Sequence, residues 1–272
     1  MDTPGDLGDR AGPSLDDSRG ILRPARLPTF HRVAAPDDLA DRVRWFWIPR
    51  WHIAPGRSSR QHVLPFPACN LVVDRDGVTL SGPTTGASHR DLTSTGWAVG
   101  ALLRPAGVAA LHPAPHEVRD LETPFKAPQL HAAVLAAMAT DDEAEGDAQA
   151  AAAYAAWTRT RVAAPDEQGL LANRMEDLVA SDPEVVRVEQ VAEHLALSVR
   201  AVQRLAHRYV GVPPLAIIRR YRLQEAARRL REDPSLPVAR VAAELGYADH
   251  AHLTRDFRQV LGMAPQAYRR SD

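Results

Sequence analysis

A pattern written twice near the C-terminus constrains the fold more than any other feature of this chain. The first copy runs VAEHLALSVRAVQRLAHRYVGVPP over 191–214, and the second runs VAAELGYADHAHLTRDFRQVLGMAP over 241–265. Val191, Ala192 and Leu195 align with Val241, Ala242 and Leu245; after one inserted residue, Arg204, Gly211 and Pro214 align with Arg255, Gly262 and Pro265. Each copy has apolar residues at helical spacing, a break, and a second helical run. Two copies of one helical unit are two similar tools held at a fixed separation. That arrangement suits contact with a polymer better than turnover of a small substrate.

Charge points the same way. The chain has 272 residues and a formal net charge of -1, but from Arg187 onward there are 15 Arg, no Lys and 9 acidic residues. A basic C-terminal third on an acidic body implies a polyanionic partner for that third. The only cysteine is Cys69, so neither a disulfide framework nor a multi-cysteine zinc site can form within the chain. The first residues are acidic and polar, unlike a signal peptide, and the Ala-rich stretches are too short or too polar to span a bilayer. A cytoplasmic protein with no membrane partner is expected.

Punctuation divides the chain. Residues 1–25, rich in Gly, Pro, Asp and Ser, read as a disordered tail. Over 26–127 the short apolar runs RWFWI, HVLPF, NLVVD, GVTLSG and WAVGALL alternate with Pro and Gly, the pattern of a small β-rich sensing or dimerisation domain, barrel-like or sandwich-like. Asp76-Gly77 marks a hairpin within it. Residues 128–169 read as a helical connector, and 170–272 as an all-α domain of about seven helices. The whole is an α+β multidomain chain.

In the first repeat, Ser198 is placed to cap a helix over 199–209. Val202, Leu205, Ala206 and Tyr209 form its inner face; Arg200, Gln203, Arg204 and His207 lie opposite. In the second, Gly246 suits a tight turn and Asp249 a cap. Leu253, Phe257, Val260 and Leu261 point inward, and His250, Ala251, Thr254, Arg255 and Arg258 outward. A short helix, a turn and a helix with a polar, Arg-bearing outer face make up the helix-turn-helix module, whose second helix fits the major groove. The helix between the repeats, Pro213 to Arg231, would span roughly 28 Å, close to the about 34 Å between successive major-groove faces. Its Arg219, Arg220, Arg222, Arg228 and Arg229 are candidate phosphate contacts, or else solvent-facing or paired with Glu225 and Glu232. Ser198, His207, Arg208 and Arg258 join Arg219 and Arg222 as phosphate or flanking contacts.

With A-x-x-L-G-Y at 242–247, L-T-R-D-F-R at 253–258 and G-M-A-P-Q-A-Y-R at 262–269, the C-terminal part resembles the AraC/XylS family of bacterial transcription regulators over about 170–270. The resemblance implies two helix-turn-helix units joined by a long helix and bound to an asymmetric DNA site. Carried over by position, the base-reading residues are Arg200, Gln203 and Arg204 in the first unit and His250, Thr254 and Arg255 in the second; Ala251 offers only an apolar contact. Two departures lie in the first unit. Ala196 stands where the turn often has Gly, and Ala206 where the family has Phe, as at Phe257. A thinner core, and hence a less stable first unit, is expected. Less specifically, Trp45-Phe46-Trp47, the VLPFPACNLVV run and L-R-P-A-G at 103–107 resemble the β-rich domain that precedes some AraC-type modules. That domain is cupin-like in related regulators, where it senses a ligand or pairs subunits.

Trp45, Trp47 and Trp51 are the candidate lining of an effector pocket, although such clustered aromatics more often fill a core. His52, His62, His112 and His116 lack the tight grouping of a metal cupin, and Pro113 and Pro115 argue against a helix carrying the last two. Cys69, in an apolar run, reads as a buried thiol rather than a redox sensor. No metal, cofactor or catalytic residue is expected. The expected partners are double-stranded DNA, an unidentified small-molecule effector, a second copy of the chain, and RNA polymerase if transcription is activated. The alternative is a cupin-like metal-dependent enzyme with a helical partner-binding appendage. An alkylation-repair regulator of AraC type would need several cysteines and is excluded.

Overall fold

The computed structural model describes residues 29–269; the expected N-terminal tail lies outside them. The N-terminal half is built on an antiparallel sheet of β1 (Thr29–Ala34), β2 (Val43–His52), β4 (Asn70–Val73), β5 (Val78–Ser81), β7 (Thr95–Trp97), β8 (Val99–Leu103) and β9 (Glu122–Pro124). The strand order is β1-β2-β8-β4-β5-β9, with β7 also paired to β2. β3 (Ser58–Val63) and β6 (Ser88–Thr93) form a separate two-stranded ribbon. The expected hairpin joins β4 to β5: the Asp74 carboxylate accepts hydrogen bonds from the backbone N–H groups of Asp76 and Gly77 at 2.9 and 3.0 Å.

The pairing is that of an open sheet, and helices cover its faces. On one side lies a hairpin of α2 (Pro128–Met138) and α3 (Glu143–Arg161), whose Leu130, Val134, Ala150 and Tyr154 share a core with Phe46, Leu71 and Val99. Tyr154 donates its hydroxyl to the Leu71 carbonyl at 2.6 Å, and Asp147 of α3 accepts from Arg50 of β2 at 2.8 Å. Trp45 and Leu102, on the opposite face, pack into the C-terminal helices. Cover on both faces explains why β8, VGALL, is buried at every position.

Part of the HVLPF run leaves the sheet. β3 stops at Val63, because Pro65 has no N–H to give a ladder. Leu64 inserts instead among Leu223, Leu245 and Phe257 of the C-terminal helices. After β8 come α1 (Pro105–Leu111) and a 3-10 turn at Pro115–Val118, the irregular path that Pro113 and Pro115 predict. Seven helices follow: α4 (Glu167–Ser181), α5 (Val188–His194), α6 (Val199–Tyr209), α7 (Pro214–Glu232), α8 (Val238–Glu244), α9 (His250–Leu261) and α10 (Pro265–Arg269). No described helix is long and apolar enough to cross a membrane.

An ion-pair network joins the two halves. Arg44 of β2 donates to Glu176 of α4 at 2.7 Å, Arg104 donates to Asp177 at 2.6 Å, and the Tyr221 hydroxyl of α7 donates to Glu176 at 2.8 Å. Nothing local in the sequence marks these partners; they are brought together only by packing.

Candidate nucleic-acid interface

The two repeats fold as two helix-turn-helix units of the same local design. In each, the chain leaves the first helix through a left-handed residue, Ala196 (φ 52°) or Gly246 (φ 66°). The next backbone N–H then folds back to the first helix, Leu197 to the Ala192 carbonyl at 2.8 Å and Tyr247 to that of Ala242 at 2.9 Å. A side-chain cap opens the second helix. Ser198 accepts from the Ala201 N–H at 3.2 Å, and Asp249 from that of His252 at 2.7 Å. The His252 backbone hydrogen bond holds the Asp249 carboxyl below the usual carboxylate range. The inserted residue of the second repeat lies in its turn, which takes five residues between α8 and α9 against four between α5 and α6.

Ala196 is the residue the turn fits poorly, because a Cβ is strained at positive φ. Ala196→Gly is therefore expected to stabilise the protein by about 0.5–1 kcal/mol, read as a higher urea midpoint with unchanged slope. A fall in the midpoint would show that the turn is not strained.

The inner faces are those the spacing predicts. Val202, Leu205, Ala206 and Tyr209 are buried, as are Leu253, Phe257 and Leu261, while Val260 is half-buried. The surroundings of the two units bear on the expectation of a weaker first unit. Ala206 is fully enclosed in a cluster that takes in Trp45 and Leu102 from the sheet, Phe66 from the stretch between β3 and β4, and Met175 from α4. The second unit closes around Phe257 in a smaller cluster that receives only Leu64 from the N-terminal half. The small residue at 206 thus draws on the sheet and α4 for its enclosure. Amide hydrogen exchange is expected to be slower in α6 than in α9; faster exchange in α6 would restore the simpler reading of Ala206.

On the outer faces, Arg200, Gln203, Arg204 and His207 of α6 and His250, Arg255 and Arg258 of α9 are exposed. Thr254 is half-buried, and its hydroxyl donates to the His250 carbonyl at 2.8 Å, which leaves only its acceptor capacity for a ligand. Arg208 is exposed, its guanidinium 5.3 Å from the Tyr209 ring centre. The His207 ring lies 4.2 Å from that of His116, centre to centre, so the 3-10 turn of the N-terminal half reaches this end of α6. Gly211 (φ 86°) belongs to the same junction: a Cβ there would come within 2.6 Å of the Pro115 backbone.

The joining helix corrects the expected phosphate contacts. Arg219 is exposed, but Arg222 is buried: its Nε donates to the Leu245 carbonyl at 2.7 Å and its guanidinium lies 4.1 Å from the Tyr247 ring centre. It fastens the turn of the second unit and has no path to a phosphate. Arg220 is buried too, donating to the Thr84 carbonyl at 2.6 Å. Arg228 pairs with Glu225 and Glu232, and Arg229 with Glu225 and Glu244.

The tryptophan pocket is also corrected. Trp45 is 2% exposed and packs edge-on against Phe66. Trp47 covers Gly100, its register partner on β8, and donates to Asn70 at 2.9 Å. Trp51 covers Gly96, its partner on β7, and donates to the Thr93 carbonyl. Each indole packs over a neighbouring strand or loop. Cys69 is fully buried, its thiol pushed up to about 12 by burial, so it carries no thiolate at neutral pH. Among the described residues, no group of three or more His, Cys, Asp or Glu side chains is placed to hold a metal ion.

A family model described as a helix-turn-helix domain matches residues 191–271, which take in both units and the helix between them. The chain is 39% identical over 83 residues to a putative AraC-like transcription regulator of Streptomyces antibioticus, and 33% identical over 86 residues to the transcriptional activator RhaS of Escherichia fergusonii. Over a stretch of this length the chain is similar to AraC-like transcription regulators. These matches cover 29% and 32% of the chain, and 27% and 31% of the two relatives, so the likeness extends over less than a third of either relative. A second family model, a domain of unknown function (DUF6597), matches residues 31–122, the sheet region of the chain. Among solved structures, a single-residue variant of ToxT from Vibrio cholerae aligns over 82% of this chain and 96% of its own, at 11% identity and a TM-score of 0.46.

Proposed function

We propose that this protein is a cytoplasmic, sequence-specific transcription regulator that reads two adjacent major grooves and responds to a small-molecule effector. One observation carries the reading: two helix-turn-helix units share one joining helix, and Arg200, Arg204 and Arg255 are exposed on the outer faces of their second helices. Those positions suit bidentate donation to guanine, with Gln203 suited to adenine. His250 and Thr254 complete the base-reading set, and Ser198, His207, Arg208, Arg219 and Arg258 flank it toward the phosphates. The cations of the joining helix that are buried or paired fasten the fold. In this reading the N-terminal sheet receives the effector or pairs with a second copy of the chain, and RNA polymerase is a partner if transcription is activated.

Selection of genomic fragments by the purified full chain tests the proposal. Enrichment of an asymmetric duplex site with two contacted segments about 10 base pairs apart is expected. Affinity should fall with salt at a log–log slope of about -0.9 for each phosphate neutralised. Failure to enrich any duplex sequence, or affinity indifferent to salt, overturns it.

A further inference from the structure

A cleft of about 290 Å³ opens between the joining helix, the N-terminal half and the second reading helix. Pro67, Thr84 and Thr85 line it from the N-terminal half, Arg219 and Arg220 from α7, and Asp256 and Val260 from α9. It is separate from the sheet core and from the three tryptophans. Its volume is near the lower end of small-molecule sites, which run from about 300 Å³ upward.

The chemistry of the cleft centres on Arg220. This side chain is 5% exposed, its Nη2 donates to the Thr84 carbonyl, and its Nη1 has no partner. Burial pulls its pKa down to about 10, which still leaves a cation at neutral pH. A buried cation without a hydrogen-bonded carboxylate is costly. The two acids that act on it do so at a distance. Asp120 is engaged by the Thr85 N–H and hydroxyl, and the buried Oδ2 of Asp256 has no hydrogen-bond partner. Among the lining residues, Arg219 and Arg220 against Asp256 leave one positive charge in excess. Val212, Leu215 and Val260 supply apolar wall.

We propose that this cleft binds a small organic monoanion, with its acid group on Arg220 and Arg219 and its apolar body against Val212, Leu215 and Val260. The ligand would touch both halves of the protein and the second reading helix at once, and so is placed to bias their relation. Its role as effector rests on the regulator reading; the binding itself does not.

The full chain titrated with 8-anilino-1-naphthalenesulfonate, a fluorescent monoanion with an apolar body, tests the site. One saturable site per chain is expected, displaced by phenylacetate and 4-phenylbutyrate but not by their neutral amides. Arg220→Gln and Leu215→Glu are each expected to weaken the probe at least tenfold. Leu215 is 39% exposed, so its variant decides the matter if Arg220→Gln fails to fold. Wild-type affinity in the folded variants, displacement by amides as good as by acids, or no saturable site each overturns the proposal. Fragment selection on the same preparation separates the two ideas: enriched DNA without probe binding sinks the site alone, and probe binding without enriched DNA removes only its role as effector.

Discussion

Replacing Glu176 with Ala is expected to cost about 3–5 kcal/mol of stability, the penalty for breaking a buried ion pair from one side. The Glu176 side chain is 1% exposed and that of Arg44 4%. Glu176 accepts from Arg44 with one carboxylate oxygen and from the Tyr221 hydroxyl with the other. Without it the guanidinium of Arg44 keeps only the longer 3.3 Å contact to Asp177, whose carboxylate also serves Arg104, and Tyr221 loses its acceptor beneath the joining helix. Glu176→Gln keeps an acceptor and the shape but removes the charge, so it should cost less than Ala. Urea unfolding of the three proteins checks both the size and the order. A loss below about 1 kcal/mol for Glu176→Ala would mean that water or a neighbour replaces the carboxylate and that the network does not hold the halves together. The same variant should unfold with a broader or split transition, because the first helix-turn-helix unit shares its cluster with Trp45 and Leu102 of the sheet.

The dependence of that unit on the sheet domain marks how far the sequence could be read. Helices, turns and caps of the repeats were legible because their causes are local: Ser198 and Asp249 cap within three residues, and Gly246 and Ala196 stand at fixed places in the repeat. The outer faces followed from helical spacing for the same reason. What could not be read depends on partners far along the chain. Arg219, Arg220 and Arg222 look alike in sequence; one is exposed, one is bound by Thr84, and one lies under the turn at Leu245. Helix α7 is buried on nearly every side, so its charges do not sort into an inner and an outer stripe. For the tryptophans the missing information was strand register. Trp47 meets Gly100 and Trp51 meets Gly96 across the sheet, and those glycines leave the space that the indoles fill. The cleft on Arg220 has no sequence signature, since its walls come from three separate stretches of the chain.

Replacing Arg204 and Arg255 together with Ala is expected to weaken binding to the selected site by about 2–6 kcal/mol, on the order of 30-fold to 10⁴-fold. Each base-reading arginine contributes about 1–3 kcal/mol, and the two lie in different units with no shared partner, so their effects should add. The Lys versions of both keep the charge but lose the two-pronged donation to guanine. They should retain most of the salt-dependent affinity while tolerating base changes at the two contacted positions. Arg228→Ala is the control: its guanidinium is held by Glu225 and Glu232 on the joining helix, and its removal should change affinity by less than about threefold, below 1 kcal/mol. Quantitative binding to the selected duplex and to its single-base variants measures all four proteins. A double variant that binds as tightly as the wild type would place the reading surface elsewhere. A uniform loss across all base variants would assign the two arginines to phosphates, because a phosphate contact weakens every sequence alike.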